Sequence, residues 1–217
     1  GTDTHIGKTE ITCGLINFFQ EKGYLACGMK PVAAGTEIID EHTINSDVHK
    51  FLSINSVRKP VTNINPYSFE QPIAPHIASN LSNQKILFPK IQENFLLLQK
   101  ECEYLFVEGA GGYKVPLGND NSIEDLISYL SIPIILVVGI RLGCINHAML
   151  TFESIKNNQH NLYGWVANCI DPTMKQVDEN IKYLEENIDA PFMGRVPFQK
   201  EVNTINISNY LLWPGKL

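Results

Sequence analysis

No apolar run in this chain is long enough to cross a bilayer. The longest, "IPIILVVGI" at 132–140, covers less than half of the roughly 20 residues a membrane helix needs. It reads instead as a buried strand. No lysine or arginine cluster is long enough to grip nucleic acid, and the net charge of −6 opposes such a partner. Paired cysteines are missing too. The five present (Cys13, Cys27, Cys102, Cys144 and Cys169) stand singly, without the close spacing that metal sites and disulfide scaffolds need. They read as reduced thiols of a cytosolic protein, each a small core residue. There is no Ser-His-Asp arrangement, no H-E-x-x-H and no cysteine–histidine dyad. Any chemistry must therefore rest on positioning substrates and stabilising charge, without an enzyme nucleophile.

What is present is ordinary in bulk. At 44% hydrophobic and 18% charged residues, with a mean hydropathy of −0.07, the chain is neither disordered nor membrane-like. A length of 217 residues suits one domain with a substantial core. Helical periodicity over 8–22 ends at Gly23. "ACGMKPVAAG" (26–35) reads as a short strand running into a loop. Residues 36–80 are richer in Asn and Pro and predict short helices near 46–54 and 74–81. Further on, predicted helices at 90–101, 122–130, 145–156 and 174–187 alternate with predicted strands at 104–112, 133–139, 162–170 and 192–198. No composition break or repeat interrupts the alternation. Residues 1–217 thus read as a single α/β domain, a parallel sheet with helices on both faces. In such sheets ligands sit beyond the carboxyl ends of the strands.

The chain opens on "GTDTHIGKT", which fits the phosphate-cradling G-x-x-x-x-G-K-[ST] loop. Lys8 is placed to reach the β- and γ-phosphates and Thr9 to put a hydroxyl on Mg²⁺. The alternative is a glycine turn with an exposed lysine, but an amphipathic helix follows inside an α/β pattern. Such loops hang from a strand, so a short strand is expected ahead of Gly1. "VEGAGG" carries Glu108 to a strand end, where a carboxylate serves Mg²⁺ directly or through water. Gly109, Ala110, Gly111 and Gly112 allow close backbone approach, although a tight turn would use them as well. Lys30, in the apolar "GMKPVAAG", needs an anion nearby or an exit to solvent. In "NSDVHK", Ser46 or Asp47 reads as a helix cap. Gly143 opens a helix whose N-terminus suits a carboxylate or a phosphate. Asn168 offers a donor and an acceptor to an adenine edge.

Taken together, "GTDTHIGKT", "MKPVAAG", "NSD", "NPYSFEQPIAPHIA", "VEGAGG" with Pro116, "VVGIRLGCINHAMLT", "GWVAN" and "VPF" resemble the dethiobiotin synthetase family. The match runs in order over almost the whole chain. It implies a cytoplasmic homodimeric ligase of biotin biosynthesis. Such an enzyme closes the ureido ring of dethiobiotin on 7,8-diaminononanoate, using carbon dioxide or bicarbonate, ATP and Mg²⁺. By that resemblance His5, Ile6, Gly7, Lys8, Thr9 and Glu10 border the ATP phosphates, and Thr9, Asp47 and Glu108 form the magnesium site. Gly109, Ala110 and Gly111 join the nucleotide site, as do Asn168, Cys169, Pro197, Phe198 and Gln199 around the adenine.

The resemblance also makes Lys30 and Lys8 the catalytic lysines, with Thr4 on the substrate side of the loop. Lys30 and Ala34 face the substrate. Gly143, Cys144, Ile145 and Asn146 take its carboxylate tail at a dimer interface. Three positions depart from the family. Ala34 stands where a serine often touches substrate, His5 where an acidic or small residue is common, and Asn180 near a tyrosine that grips the partner's tail in some members. The rival reading is a P-loop switch or partition ATPase, which would carry a second lysine where this chain has Thr2. An amidotransferase-type synthetase would need a glutaminase domain for which 217 residues leave no room.

Overall fold

A computed structural model describes residues 1–200 and 204–215. The first half holds α1 (Lys8–Gln20), β1 (Ala26–Met29), β2 (Val32–Ala34), β3 (Glu37–Ile39), β4 (His42–Ile44), α2 (Ser46–Ile54), α3 (Val61–Ile64), β5 (Tyr67–Phe69), α4 (Pro75–Leu81) and α5 (Phe88–Gln99). The second holds β6 (Tyr104–Val107), β7 (Pro116–Gly118), β8 (Asn121–Ser122), α6 (Ile123–Leu130), β9 (Ile134–Ile140), α7 (Cys144–Asn157), β10 (Leu162–Cys169), α8 (Val177–Asn187), β11 (Phe192–Val196) and α9 (Thr204–Ile207). The long predicted helices and strands are all present. The hairpins β3–β4 and β7–β8, the short α3 and α9, and strand β5 are additions.

The main strands run parallel, in separate ladders. β9, β10 and β11 form one, with β10 central, and β1 pairs with β6 in another. Among the described residues no ladder joins β6 to β9. Thr2 runs beside β9 instead, its N–H donating to the Val137 carbonyl at 3.1 Å. The predicted strand over 26–35 divides at Lys30–Pro31, because proline offers no N–H to a ladder. β2 then pairs with β5.

β9 is apolar almost throughout and buried along most of its length, as a strand covered on both faces must be. Trp165, Leu136, Val138 and Leu184 centre the core on one side of the β9–β11 ladder, while Ile11, Leu15, Val166 and Val196 fill the other. Gly14, inside α1, has a packing reason. A Cβ there would meet Ile207 of α9, so the glycine permits close approach of two helices at the cost of helix propensity. All five cysteines are free thiols. No described helix is long and apolar enough to cross a membrane.

Candidate active site

The register of β1 and β6 builds the centre. Met29 lies opposite Val107, so the next residues, Lys30 and Glu108, leave the ladder side by side. Glu108 N–H donates to the Met29 carbonyl at 2.8 Å, and Lys30 N–H to the Ile64 carbonyl at 2.9 Å. Their side chains then meet, Lys30 Nζ donating to Glu108 Oε1 at 2.6 Å. The same ammonium donates to Asp47 Oδ2 at 2.5 Å. Thr9 Oγ1, from the first turn of α1, donates to Glu108 Oε1 at 3.0 Å. One lysine, two carboxylates and a hydroxyl from four elements thus form a single cluster.

Asp47 reaches it because it is not the helix cap. Asn45 is: its side chain accepts from Asp47 N–H at 3.1 Å and Val48 N–H at 3.4 Å. The cap expected at Ser46 or Asp47 therefore lies one position earlier than Ser46, and the Asp47 carboxylate is left for Lys30.

Electrostatics in this cluster are strongly coupled. Burial disfavours the charged Lys30, but the Glu108 and Asp47 carboxylates outweigh it and raise its pKa. For Asp47 burial pushes upward, and Lys30 beside it holds the carboxyl below its usual range. Glu108 is fully buried, and desolvation carries its pKa up despite Lys30. Its Oε2 is a buried acceptor with no hydrogen-bond partner. An ionised oxygen left without a donor in a dry place seeks a cation. With Asp47 and the Thr9 hydroxyl, it makes an all-oxygen donor set of the kind Mg²⁺ prefers.

The phosphate cradle lies next to this cluster. Gly7 begins α1 in the left-handed region at φ 81° with no side chain capping the helix, which leaves the first-turn N–H groups for an anion. Glycine is required there twice over, since a Cβ would strike the Asn168 amide. His5 also takes a left-handed φ of 57°, a conformation unusual for a residue with a side chain. Lys8 folds back, its Nζ donating to the Asp3 carbonyl at 2.5 Å. Burial, foremost, lowers its pKa. Asp3 in turn pairs with Arg141 at 2.5 Å.

Two clefts share the loop. The larger, about 740 Å³, is lined by Thr4, His5, Gly7, Lys8, Thr9, Glu10, Lys30, Ala34, Asp47, Glu108, Ala110 and Gly111, with Thr36, Glu37 and Pro72–Pro75 on the far wall. The smaller, about 280 Å³, is walled by Asn168, Cys169, Pro197, Phe198 and Gln199 and meets the first at His5, Gly7 and Glu10. Most residues expected to touch nucleotide thus converge. Ile6 is an exception, buried beneath the loop, and Gly109 lines a separate cavity behind it. Asn168 spends its amide on the Ile6 carbonyl at 2.8 Å, bracing the loop from β10.

Gly143, Cys144, Ile145 and Asn146 line neither cleft. Gly143 caps α7 in the left-handed region at φ 90°, and Leu142 before it is 91% exposed. Cys144 points into the core. Asn180 is half-buried and donates to the carbonyl of Gln176, which caps its own helix. Sequence reading missed the ion pair of Lys50 with Glu10, at 2.8 Å. Lys50 follows Asp47 by three positions on α2, a helical spacing that puts both on one face.

These contacts can be set beside known proteins. A family model described as an AAA domain matches residues 1–206. The ATP-dependent dethiobiotin synthetase BioD of Aromatoleum aromaticum is 42% identical, over 99% of this chain and 96% of its own length. That of Wigglesworthia glossinidia brevipalpis is 39% identical, over 96% and 92%. The chain belongs to the dethiobiotin synthetase family. Among solved structures it is similar to the MinD cell division protein of Aquifex aeolicus (TM-score 0.56, 14% identity, 96% of this chain and 84% of that one). It is also similar to a ParA family ATPase from Chlorobium tepidum TLS (TM-score 0.53, 14% identity, 95% and 86%). At that identity the likeness shows a shared P-loop α/β fold. The dethiobiotin synthetases, not these structural neighbours, supply the family.

Proposed function

We propose that this chain is an ATP-dependent ligase that closes the ureido ring of dethiobiotin on 7,8-diaminononanoate with carbon dioxide, releasing ADP and phosphate. The observation that carries it is the convergence of Lys8, Lys30, Thr9, Asp47 and Glu108 in one cleft, in a chain of this family. The triphosphate lies along the loop with its base in the smaller cleft, near Phe198 and Gln199. Thr9, Asp47 and Glu108 would hold Mg²⁺. When bound, the ion supplies charge neutralisation on the phosphates during transfer.

A substrate amine and carbon dioxide form a carbamate, whose negative charge Lys30 and Lys8 stabilise. The carbamate oxygen attacks the γ-phosphorus and ADP leaves, giving a carbamic–phosphoric mixed anhydride. The second amine attacks the activated carbonyl, phosphate departs, and the ring closes. Thr4 orients the reacting end from the rim of the loop. The tail carboxylate meets the α7 N-terminus, Gly143 to Asn146, in a cytoplasmic homodimer in which a second subunit completes that site. Because an amine must be unprotonated to attack, the rate rises between about pH 6 and pH 8.

Phosphate release from ATP, measured with and without the diamine, tests this reading. Turnover strictly dependent on the diamine supports it. Diamine-independent turnover would favour the switch-type ATPase, a reading that calls for a second lysine where this chain has Thr2.

A further inference from the structure

Lys30 lies where two oxygen donors of the proposed cation site converge. Its ammonium touches Asp47 Oδ2 at 2.5 Å and Glu108 Oε1 at 2.6 Å, and Oε1 also accepts from Thr9. All three residues assigned to the cation are thus tied, directly or through one shared oxygen, to one lysine. A divalent ion bound to these oxygens needs them at roughly 2.0–2.1 Å. An ammonium held on the same atoms would face a double charge at contact distance, so both cannot keep them.

We propose that Lys30 is an internal counter-ion that holds the divalent-cation site closed, and that cation entry and release of the Lys30 ammonium are one exchange. This rests on the metal assignment above and adds an order to it. With Lys30 in place, the two carboxylates carry one net negative charge instead of two, so the nucleotide-free protein binds divalent ions weakly. An ion arriving with the triphosphate brings enough charge and ligands to displace the lysine. Glu108 Oε2, buried and without a partner, gives the ion a foothold before Oε1 is surrendered. The stem of Lys30 is buried, its residue only 5% exposed, so the freed ammonium has little room except toward the cleft that Thr4 and Ala34 also line. The lysine is thereby delivered to the carbamate only once the ion is in place. Substrate charge and metal charge become coupled through one side chain.

The test is a thermal-shift titration with Mn²⁺ and no nucleotide, on the wild type, Lys30→Met and the double variant Lys30→Met/Asp47→Asn. Lys30→Met should be stabilised by Mn²⁺ at concentrations at least about tenfold lower than the wild type requires, because the buried Glu108 and the half-buried Asp47 have lost their shared counter-ion. The double variant should lose that response. If Lys30→Met does not fold, Lys30→Gln, which keeps amide donors for the same carboxylates, is measured against the same expectation. Equal or weaker Mn²⁺ stabilisation of the neutral variant overturns the exchange.

A second measurement separates this from the site assignment. Mn²⁺ binding to the wild type with a non-hydrolysable ATP analogue, followed by electron paramagnetic resonance, should weaken markedly in Asp47→Asn. Weakening there without tightening in Lys30→Met sinks the exchange alone. No weakening there sinks the metal assignment, and the exchange with it.

Discussion

The two ends of the candidate site are built in opposite ways. At the phosphate and cation end, Lys30, Glu108 and Thr9 are buried and joined by short hydrogen bonds, and the strand register of β1 and β6 sets them side by side. At the other ends, Phe198 is 44% exposed and Leu142 before the α7 N-terminus is 91% exposed. The first region is tied together by its own side chains, and a buried carboxylate with an unpartnered oxygen is kept there at a cost in stability. The remaining regions are open surfaces that a nucleotide base or a second chain would complete. Reactivity is carried by rigid strand ends, and recognition is left to groups that close around the ligand.

Substitutions should separate the two ends. Lys30→Met has the largest expected effect. Ring closure measured as dethiobiotin formed should fall about 10²–10³-fold or more, as when one charge-stabilising donor is removed. Retained activity would remove this lysine from the mechanism. Glu108→Gln should lose a similar factor of about 10²–10³ in kcat, yet melt at a higher temperature than the wild type at pH 7. The sign follows from linkage. Burial raises the Glu108 pKa above 4.5, so its contribution to stability is present below that pH and lost as the pH rises through the folded value. The neutral amide removes the cost, and the difference in melting temperature should shrink as the pH falls below 4.5. A lower melting temperature at neutral pH would mean that Glu108 stabilises the fold.

Asp47 works in the opposite sense. Its pKa is held below 3.8 by Lys30, against the upward pull of burial. The stability it contributes is complete above 3.8 and lost as the pH falls through the folded value. Asp47→Asn should therefore be less stable than the wild type near neutrality, and the two melting curves should converge in strong acid.

Much of the reactive end was legible because its signals are local. The loop "GTDTHIGKT" is contiguous, and "YLFVEG" and "GMK" each carry one polar residue out of an apolar strand. What joins them is not local. Asp47 reads as a cap until the fold shows Asn45 capping α2, and only the β1–β6 register puts Lys30 beside Glu108. The break at Lys30–Pro31 was hidden inside one apolar run. The β3–β4 hairpin turns on Asp40 and Glu41, both at positive φ, where Asn-Gly or Asp-Gly is the usual signal. The Lys50–Glu10 pair joins two helices far apart in sequence, so spacing could place Lys50 on the Asp47 face of α2 but not name its partner. At the recognition ends the residues themselves suggested only Gly143 and Asn168; the rest of those positions were named through the family resemblance, since the exposed ones obey no burial pattern.

Smaller effects should mark those ends. Phe198→Ala should raise KM for ATP about tenfold with kcat little changed, within the ~1–3 kcal/mol range of a base stacked on an aromatic ring. An unchanged KM would place the base elsewhere. Ala34→Ser should be the mildest, moving KM for the diamine by about threefold or less, the scale of one exposed hydrogen bond.

The most direct measurement is a crystal structure with Mn²⁺ and a non-hydrolysable ATP analogue, read through the anomalous signal of the metal. One peak in contact with Thr9, Asp47 and Glu108, beside phosphates cradled by the α1 N-terminus, is the predicted result. A metal bound away from both carboxylates, or phosphates lying off the loop, would contradict it.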